Sequence, residues 1–106
     1  MSSSYFAIIA RDRSDALPRR QAVREQHRAY LRASHPEGTE AVLGGPLLDE
    51  TGRMNGTLLV VRARSLAAAE LFLAGDPYTA AGIFEHVEVR AWRWGLGAPT
   101  DETGAG

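Results

Sequence analysis

A chain of 106 residues and 11.5 kDa, 44% hydrophobic and 24% charged, has the size and composition of one globular domain. It contains no cysteine, which excludes disulfides, thiolate zinc sites, iron–sulfur clusters and cysteine nucleophiles. A net charge of −1 gives nucleic acid no global electrostatic reason to bind. No apolar run approaches the roughly 20 residues of a membrane-spanning helix, so no membrane partner is expected. The start, Met1-Ser2-Ser3-Ser4-Tyr5, lacks a basic segment followed by an apolar one; the expectation is no signal peptide and a cytoplasmic location. All 12 basic residues are arginine, which together with the many alanines reads as the codon bias of a GC-rich bacterial genome.

In chain order, Tyr5 to Arg11 is a β-branched and aromatic run, hence a strand. Asp15 is placed to cap a helix with Pro18 in its first turn, running to about Ser34 before Pro36 and Gly38 end it. Ala41-Val42-Leu43 begins a second strand that Gly44-Gly45-Pro46 interrupts or bends. Turn residues fill Asp49 to Asn55, and Gly56 to Arg64 is a third strand. Ser65 caps a second helix over Leu66 to Ala74, with Gly75 as its C′ residue. Asp76-Pro77-Tyr78 opens a loop or short helix, and a long final strand runs from Ile83 to about Trp94. Residues 1–94 are expected to form one domain and 95–106, rich in Gly, Pro, Thr and Asp, a flexible tail.

The order β-α-β-β-α-β is that of a ferredoxin-like α+β fold, a four-stranded antiparallel sheet with two helices on one face. Strands one and three are apolar on both sides, with Phe6 and Ile8 opposed to Tyr5, Ala7 and Ile9, and Leu59 and Val61 opposed to Leu58 and Val60. Two helices cover one face only, so the second face needs another cover, and a homodimer packed sheet to sheet is the economical one. In the final strand Phe84, His86, Glu88, Arg90 and Trp92 make a mixed aromatic and charged stripe expected on that uncovered side.

Candidates for chemistry are few. No glycine-rich loop opens a helix, so a phosphate or dinucleotide cradle is absent, and no cofactor is expected. His27, His35 and His86 lack the spacing of metal ligands. His27 stands apart because Val23, His27, Tyr30, Leu31 and Ser34 share the helix face that packs on the sheet. An imidazole there is either a satisfied core histidine or a general acid–base poised near neutrality beside an apolar wall. Asp76 lies just past the second helix, at the edge where the first also ends, and reads either as a helix stop or as the carboxylate that orients His27. Arg24 falls three residues before His27, on the same side of the helix. It belongs to a row, Arg20, Arg24, Arg28 and Arg32, whose plain reading is a solvated face partly paired with Glu25, against a phosphate-binding one. Tyr78, Phe84 and Trp92 are either pocket lining or interface core.

Arg24-Glu25-Gln26-His27-Arg28-Ala29-Tyr30-Leu31 resembles the R-x-x-H-x-x-Y-L segment of the YCII-related (YciI-like) family. Gly44-Gly45-Pro46-Leu47 with Asp49 to Gly56, Gly75-Asp76-Pro77-Tyr78 with Ala81-Gly82, and Ala91-Trp92 are similar to that family's later segments, in the same order. The resemblance spans about Tyr5 to Trp92 and leaves out the glycine-rich tail. It implies a dimeric α/β-barrel assembly like those of muconolactone isomerases and antibiotic monooxygenases. It also implies an active site on a histidine and an aspartate, here His27 and Asp76, with dehydrochlorinase-like lyase chemistry on a hydroxylated aromatic as precedent. The function expected is a cofactor-independent lyase or isomerase acting on a small hydroxylated aromatic or enol-forming carbonyl compound. The alternative is a non-catalytic ligand-binding or interaction module on the same scaffold, with oxygenation of a polyphenol ranked last.

Overall fold

The computed structural model describes residues 4–99. Its elements are β1 (Ser4–Asp12), α1 (Leu17–Ala22), α2 (Arg24–Arg32), β2 (Glu40–Leu48), β3 (Met54–Ala63), α3 (Leu66–Ala74), α4 (Pro77–Ala80) and β4 (Phe84–Trp92). The four strands form an antiparallel sheet in the order β2-β3-β1-β4. Ser4, one residue ahead of the expected strand, already belongs to β1. Residues 93–99 carry no regular secondary structure, and the rest of the expected tail lies outside the described residues.

The core forms on one sheet face because alternate residues point the same way. Phe6 and Ile8 of β1 and Leu59, Val61 and Ala63 of β3 pack against Ala69 and Phe72 of α3, with Tyr30 and Leu31 of α2 alongside. A second cluster of Ala16, Tyr78 and Ile83, with Val23 and Phe84 against it, ties α4 to the junction of α1 and α2. That junction is a break the periodicity did not announce. Val23, at φ −107° and ψ 11°, divides the expected single helix in two, although the chain's hydrogen bonds continue on either side, from Val23 N to Arg19 O and from His27 N to Val23 O. The expected cap at Asp15 is not formed either: Ala16 precedes α1 without a side-chain cap bond, and Asp15 instead faces Arg19 at 3.6 Å.

Ser65 does cap α3, accepting from Ala68 N at 3.1 Å. Gly44-Gly45-Pro46 does not interrupt β2, which runs through it; the irregularities fall between Ala41 and Leu43 and between Leu47 and Leu48. A Cβ at Gly44 would lie 2.8 Å from the Leu59 side chain and 3.0 Å from Leu58 O, so glycine lets the two strands meet. The final strand is bounded by Phe84 and Trp92 rather than Ile83 and Trp94.

On β4 a register shift alters the expected stripe. Arg11 pairs with His86 but Asp12 pairs with Phe84, so Glu85 is the extra residue of a bulge. An inserted residue exchanges the two faces. His86, Glu88, Arg90 and Trp92 lie opposite Arg11, Ile9, Ala7 and Tyr5 on the uncovered face, whereas Phe84 turns to the helix side against Tyr78. No helix among the described residues is long and apolar enough to cross a membrane.

Candidate active site

The site is assembled where α2 meets α4. Asp76 is the N-cap of α4: its Oδ1 accepts the Tyr78 N–H at 2.9 Å, the job an aspartate ahead of a proline at the first turn does well. The same oxygen lies 2.8 Å from His27 Nδ1. Both side chains are buried, with Asp76 at 1% and His27 at 7% exposure. A carboxylate only accepts, so in this contact Nδ1 is the donor, which leaves Nε2 as the nitrogen free to exchange a proton with a ligand. The His27 ring is stacked on Tyr78, with centroids 3.8 Å apart and planes 6° from parallel.

Beside this stack lies a second buried pair. The Arg20 guanidinium donates through one nitrogen to both Asp12 oxygens, at 3.0 and 3.2 Å, and through the other to Thr57 Oγ1 at 2.9 Å. Its central carbon sits 4.7 Å from the centre of the Tyr78 ring, within cation–π range. Burial pushes the Asp12 carboxyl above its ordinary value, against the charge and hydrogen bond of Arg20. Burial also raises the Tyr78 phenol, opposed by Arg20 and Arg24, so its hydroxyl remains protonated at neutral pH.

These groups border a cleft of about 470 Å³ between α1, α2 and the β2–β3 half of the sheet. His27, Tyr78 and the four arginines of the helical row line it on one side; Ala41 to Pro46, Met54 and Leu59 form the other. The volume falls within the usual range for small-molecule sites. Among the described residues, no three His, Asp or Glu side chains gather as metal ligands.

Of the six residues singled out from sequence, His27 and Asp76 meet, and Arg24 and Tyr78 border the cleft with His27. Phe84 and Trp92 do not line it. Phe84 packs edge-on behind Tyr78, turned there by the β4 bulge, and Trp92 stands on the opposite sheet face against Tyr5 and Trp94. Asp12 and Thr57 were not anticipated, because they belong to different strands and nothing local marks them as partners of Arg20. The Gly44–Pro46 segment, expected to interrupt or bend its strand, is a wall of the cleft.

The YCII-related domain matches residues 4–93. Protein YciI of Escherichia coli O6:H1 is 34% identical over 93 residues, covering 83% of this chain and 95% of that protein. An uncharacterized protein of Haemophilus influenzae is 32% identical over 94 residues, covering 84% and 96%. Among solved structures, the 5-chloro-2-hydroxyhydroquinone dehydrochlorinase TftG of Burkholderia phenoliruptrix, in complex with 2,5-dihydroxybenzoquinone, superposes with a TM-score of 0.73 at 30% identity, covering 86% of this chain and 95% of that one. A protein of Agrobacterium tumefaciens at 19% identity and a TM-score of 0.53, covering 90% and 96%, shares the fold alone. With the domain matched over nearly its whole described length and relatives above 30% identity, the chain belongs to the YCII-related family.

Proposed function

We propose that the protein is a cofactor-independent lyase or isomerase in which His27 moves a proton on a small hydroxylated aromatic or enol-forming carbonyl compound. The observation that carries this reading is the 2.8 Å contact between Asp76 Oδ1 and His27 Nδ1 on the border of an open cleft. Kinship with a dehydrochlorinase that acts on a hydroxyhydroquinone supports the substrate class. A histidine sealed in packed core would instead favour a binding module; His27 is buried but borders the cleft.

In the proposed reaction Nε2 takes a proton from a hydroxyl or an acidic carbon of the substrate. The electron pair left behind forms a carbonyl or a carbon–carbon double bond. In a lyase, the displaced pair leaves with the departing anion; in an isomerase, the imidazolium returns its proton at another atom. Asp76 fixes the tautomer and stabilises the imidazolium, and Tyr78 holds the ring in plane by stacking. The reacting fold is one half of a ferredoxin-like, sheet-to-sheet homodimer, each half carrying its own cleft.

The test is a turnover screen of chlorinated and unchlorinated hydroxyhydroquinones and related enols. His27→Ala should abolish turnover of whatever substrate is found while the protein stays folded. Asp76→Asn keeps an oxygen for the Tyr78 N–H but cannot stabilise imidazolium, and should lower kcat by about 10²–10⁴-fold. Wild-type turnover that survives in His27→Ala overturns the reading.

A further inference from the structure

The arginine row has its own meaning once placed in the fold. Arg20, Arg24, Arg28 and Arg32 all line the cleft that His27 borders, and no aspartate or glutamate is among the lining residues. The whole chain has a net charge of −1, so this concentration of positive charge is local. Only part of it is compensated. Asp12 pairs with Arg20 at 3.0 Å, and the exposed Glu25 meets Arg28 at 3.7 Å. Arg24 and Arg32 make no ion pair among the described residues. The Arg20 Nε–H is buried without a hydrogen-bond partner among them. Like charges four residues apart repel along a helix, so Arg24, Arg28 and Arg32 work against α2, which carries them. A merely solvated face gives no reason for turning that row into a concavity; an anionic ligand does.

The opposite wall has the contrary character. The strand segment from Ala41 to Pro46 offers apolar residues and close backbone. A flat apolar body fits that wall, and oxygen anions on its edge fit the arginines. Arg24 and Arg28 are one helical turn apart, flank His27 in sequence and line the same cleft, so an anion they hold shares the cleft with the reacting imidazole.

We propose that the cleft selects a planar ligand bearing a carboxylate or comparable oxyanion, held by Arg24 and Arg28. This deepens the acid–base reading and rests on it only for which edge of the ligand faces His27. The phosphate monoester and the carboxylic acid share this chemistry, and one titration separates them.

The experiment is calorimetric titration of the full chain with gentisate and with hydroquinone, which has the same ring and hydroxyls without the carboxylate. Phenyl phosphate and phenol form a second pair. Gentisate should bind at least about tenfold more tightly than hydroquinone at low salt. The advantage should shrink at about 0.25 M salt, since exposed guanidinium charges are screened. The Arg24→Gln/Arg28→Gln variant should lose the advantage and keep the hydroquinone affinity, whereas Arg93→Gln, just past β4 at the sheet edge opposite β2, should keep both. A larger gain for phenyl phosphate over phenol would assign the site to phosphate monoesters. Equal affinities within each pair, an advantage that survives Arg24→Gln/Arg28→Gln, or no binding at millimolar ligand overturns the proposal. His27→Ala separates the two readings: it should lose turnover and retain the preference for the anion. Wild-type turnover without that preference sinks the charge reading and leaves the dyad standing.

Discussion

The Tyr30 hydroxyl occupies the space in which a side chain at residue 75 would begin: a Cβ on Gly75 would lie 2.6 Å from its oxygen. Tyr30 donates to Phe72 O at 2.7 Å, which links α2 to the last turn of α3. Gly75 has φ −87°, a conformation open to any residue, so this glycine serves close approach and not the left-handed helix stop expected from its position. The next residue is Asp76, so the Tyr30 contact adjoins the residue whose carboxylate meets His27.

Gly75→Ala should therefore displace the Tyr30 ring and break its hydrogen bond, at about 1–2 kcal/mol. Urea denaturation measures the loss. Gly45→Ala, where a Cβ meets nothing within 4 Å, is the matched control and should cost much less. The site should respond with stability, through a weaker His27–Asp76 contact visible as a shifted imidazole Nδ1–H resonance.

Arg20 should be costly to replace. Arg20→Met leaves the Asp12 carboxylate buried without its cation, and breaking a buried pair in this way costs about 3–5 kcal/mol. Burial already raises the Asp12 pKa, with Arg20 working against it. Without Arg20 the folded-state pKa rises further above its unfolded value. An acid with a raised folded pKa binds protons more tightly folded than unfolded, so stability falls as pH rises through that window. The variant should be least stable, relative to wild type, at neutral pH and recover part of the difference on acidification. A difference in denaturation midpoint that is flat from neutral to acid pH would contradict this account.

The β2–β3 hairpin should have the opposite pH response. Asp49 Oδ1 accepts from Thr51 N at 2.8 Å, Thr51 Oγ1 at 2.7 Å and Arg53 N at 3.0 Å. The Thr51 hydroxyl and the two backbone donors hold its carboxyl below the usual carboxylate value. A lowered folded pKa means stabilisation that is present above the unfolded value, near 3.8, and lost as pH falls through the folded one. Amide exchange at Gly52 and Arg53 should accelerate on that acid limb beyond the intrinsic pH effect. Asp49→Asn should remove the extra acceleration.

The elements were legible wherever local chemistry decides them. Ser65 at its cap and the apolar run of β3 each announce themselves within a few residues, whereas Asp76-Pro77-Tyr78 left a loop and a short helix equally open. The break at Val23 and the bulge at Glu85 are not announced, because each is settled by packing against Tyr78 and its neighbours. The bulge alone moved Phe84 from the uncovered face to the back of the site. His27 and Asp76 are 49 residues apart, and their meeting was suggested by topology and family likeness, not by spacing. The arginine row illustrates the converse: its period was plain, but only the position of β2 across from it turned a surface stripe into a cleft wall.

The uncovered sheet face should be the surface on which two copies of the chain meet. On that side Leu43 pairs with Val60, and Leu58 with Ile9, across β2, β3 and β1. Leu43 on the edge strand β2 is 40% exposed and Leu58 on the inner strand β3 is 38% exposed, on a sheet face where a lone domain would place polar residues. Arg90 and Glu88, paired at 3.1 Å, stand on the adjoining strand, giving an apolar centre with a charged border. Scattered exposed leucines need no explanation, but a contiguous apolar patch on one sheet face does. Light scattering at micromolar concentration should give a mass near twice 11.5 kDa. Leu58→Glu places a charge in the middle of that patch and should yield a folded monomer, because the residue points away from the helices and the core. Its cleft should still bind the same probe ligands, since none of the cleft's lining residues is Leu58. A monomeric wild type, or a Leu58→Glu protein that remains dimeric, would show that this face is not where two copies meet.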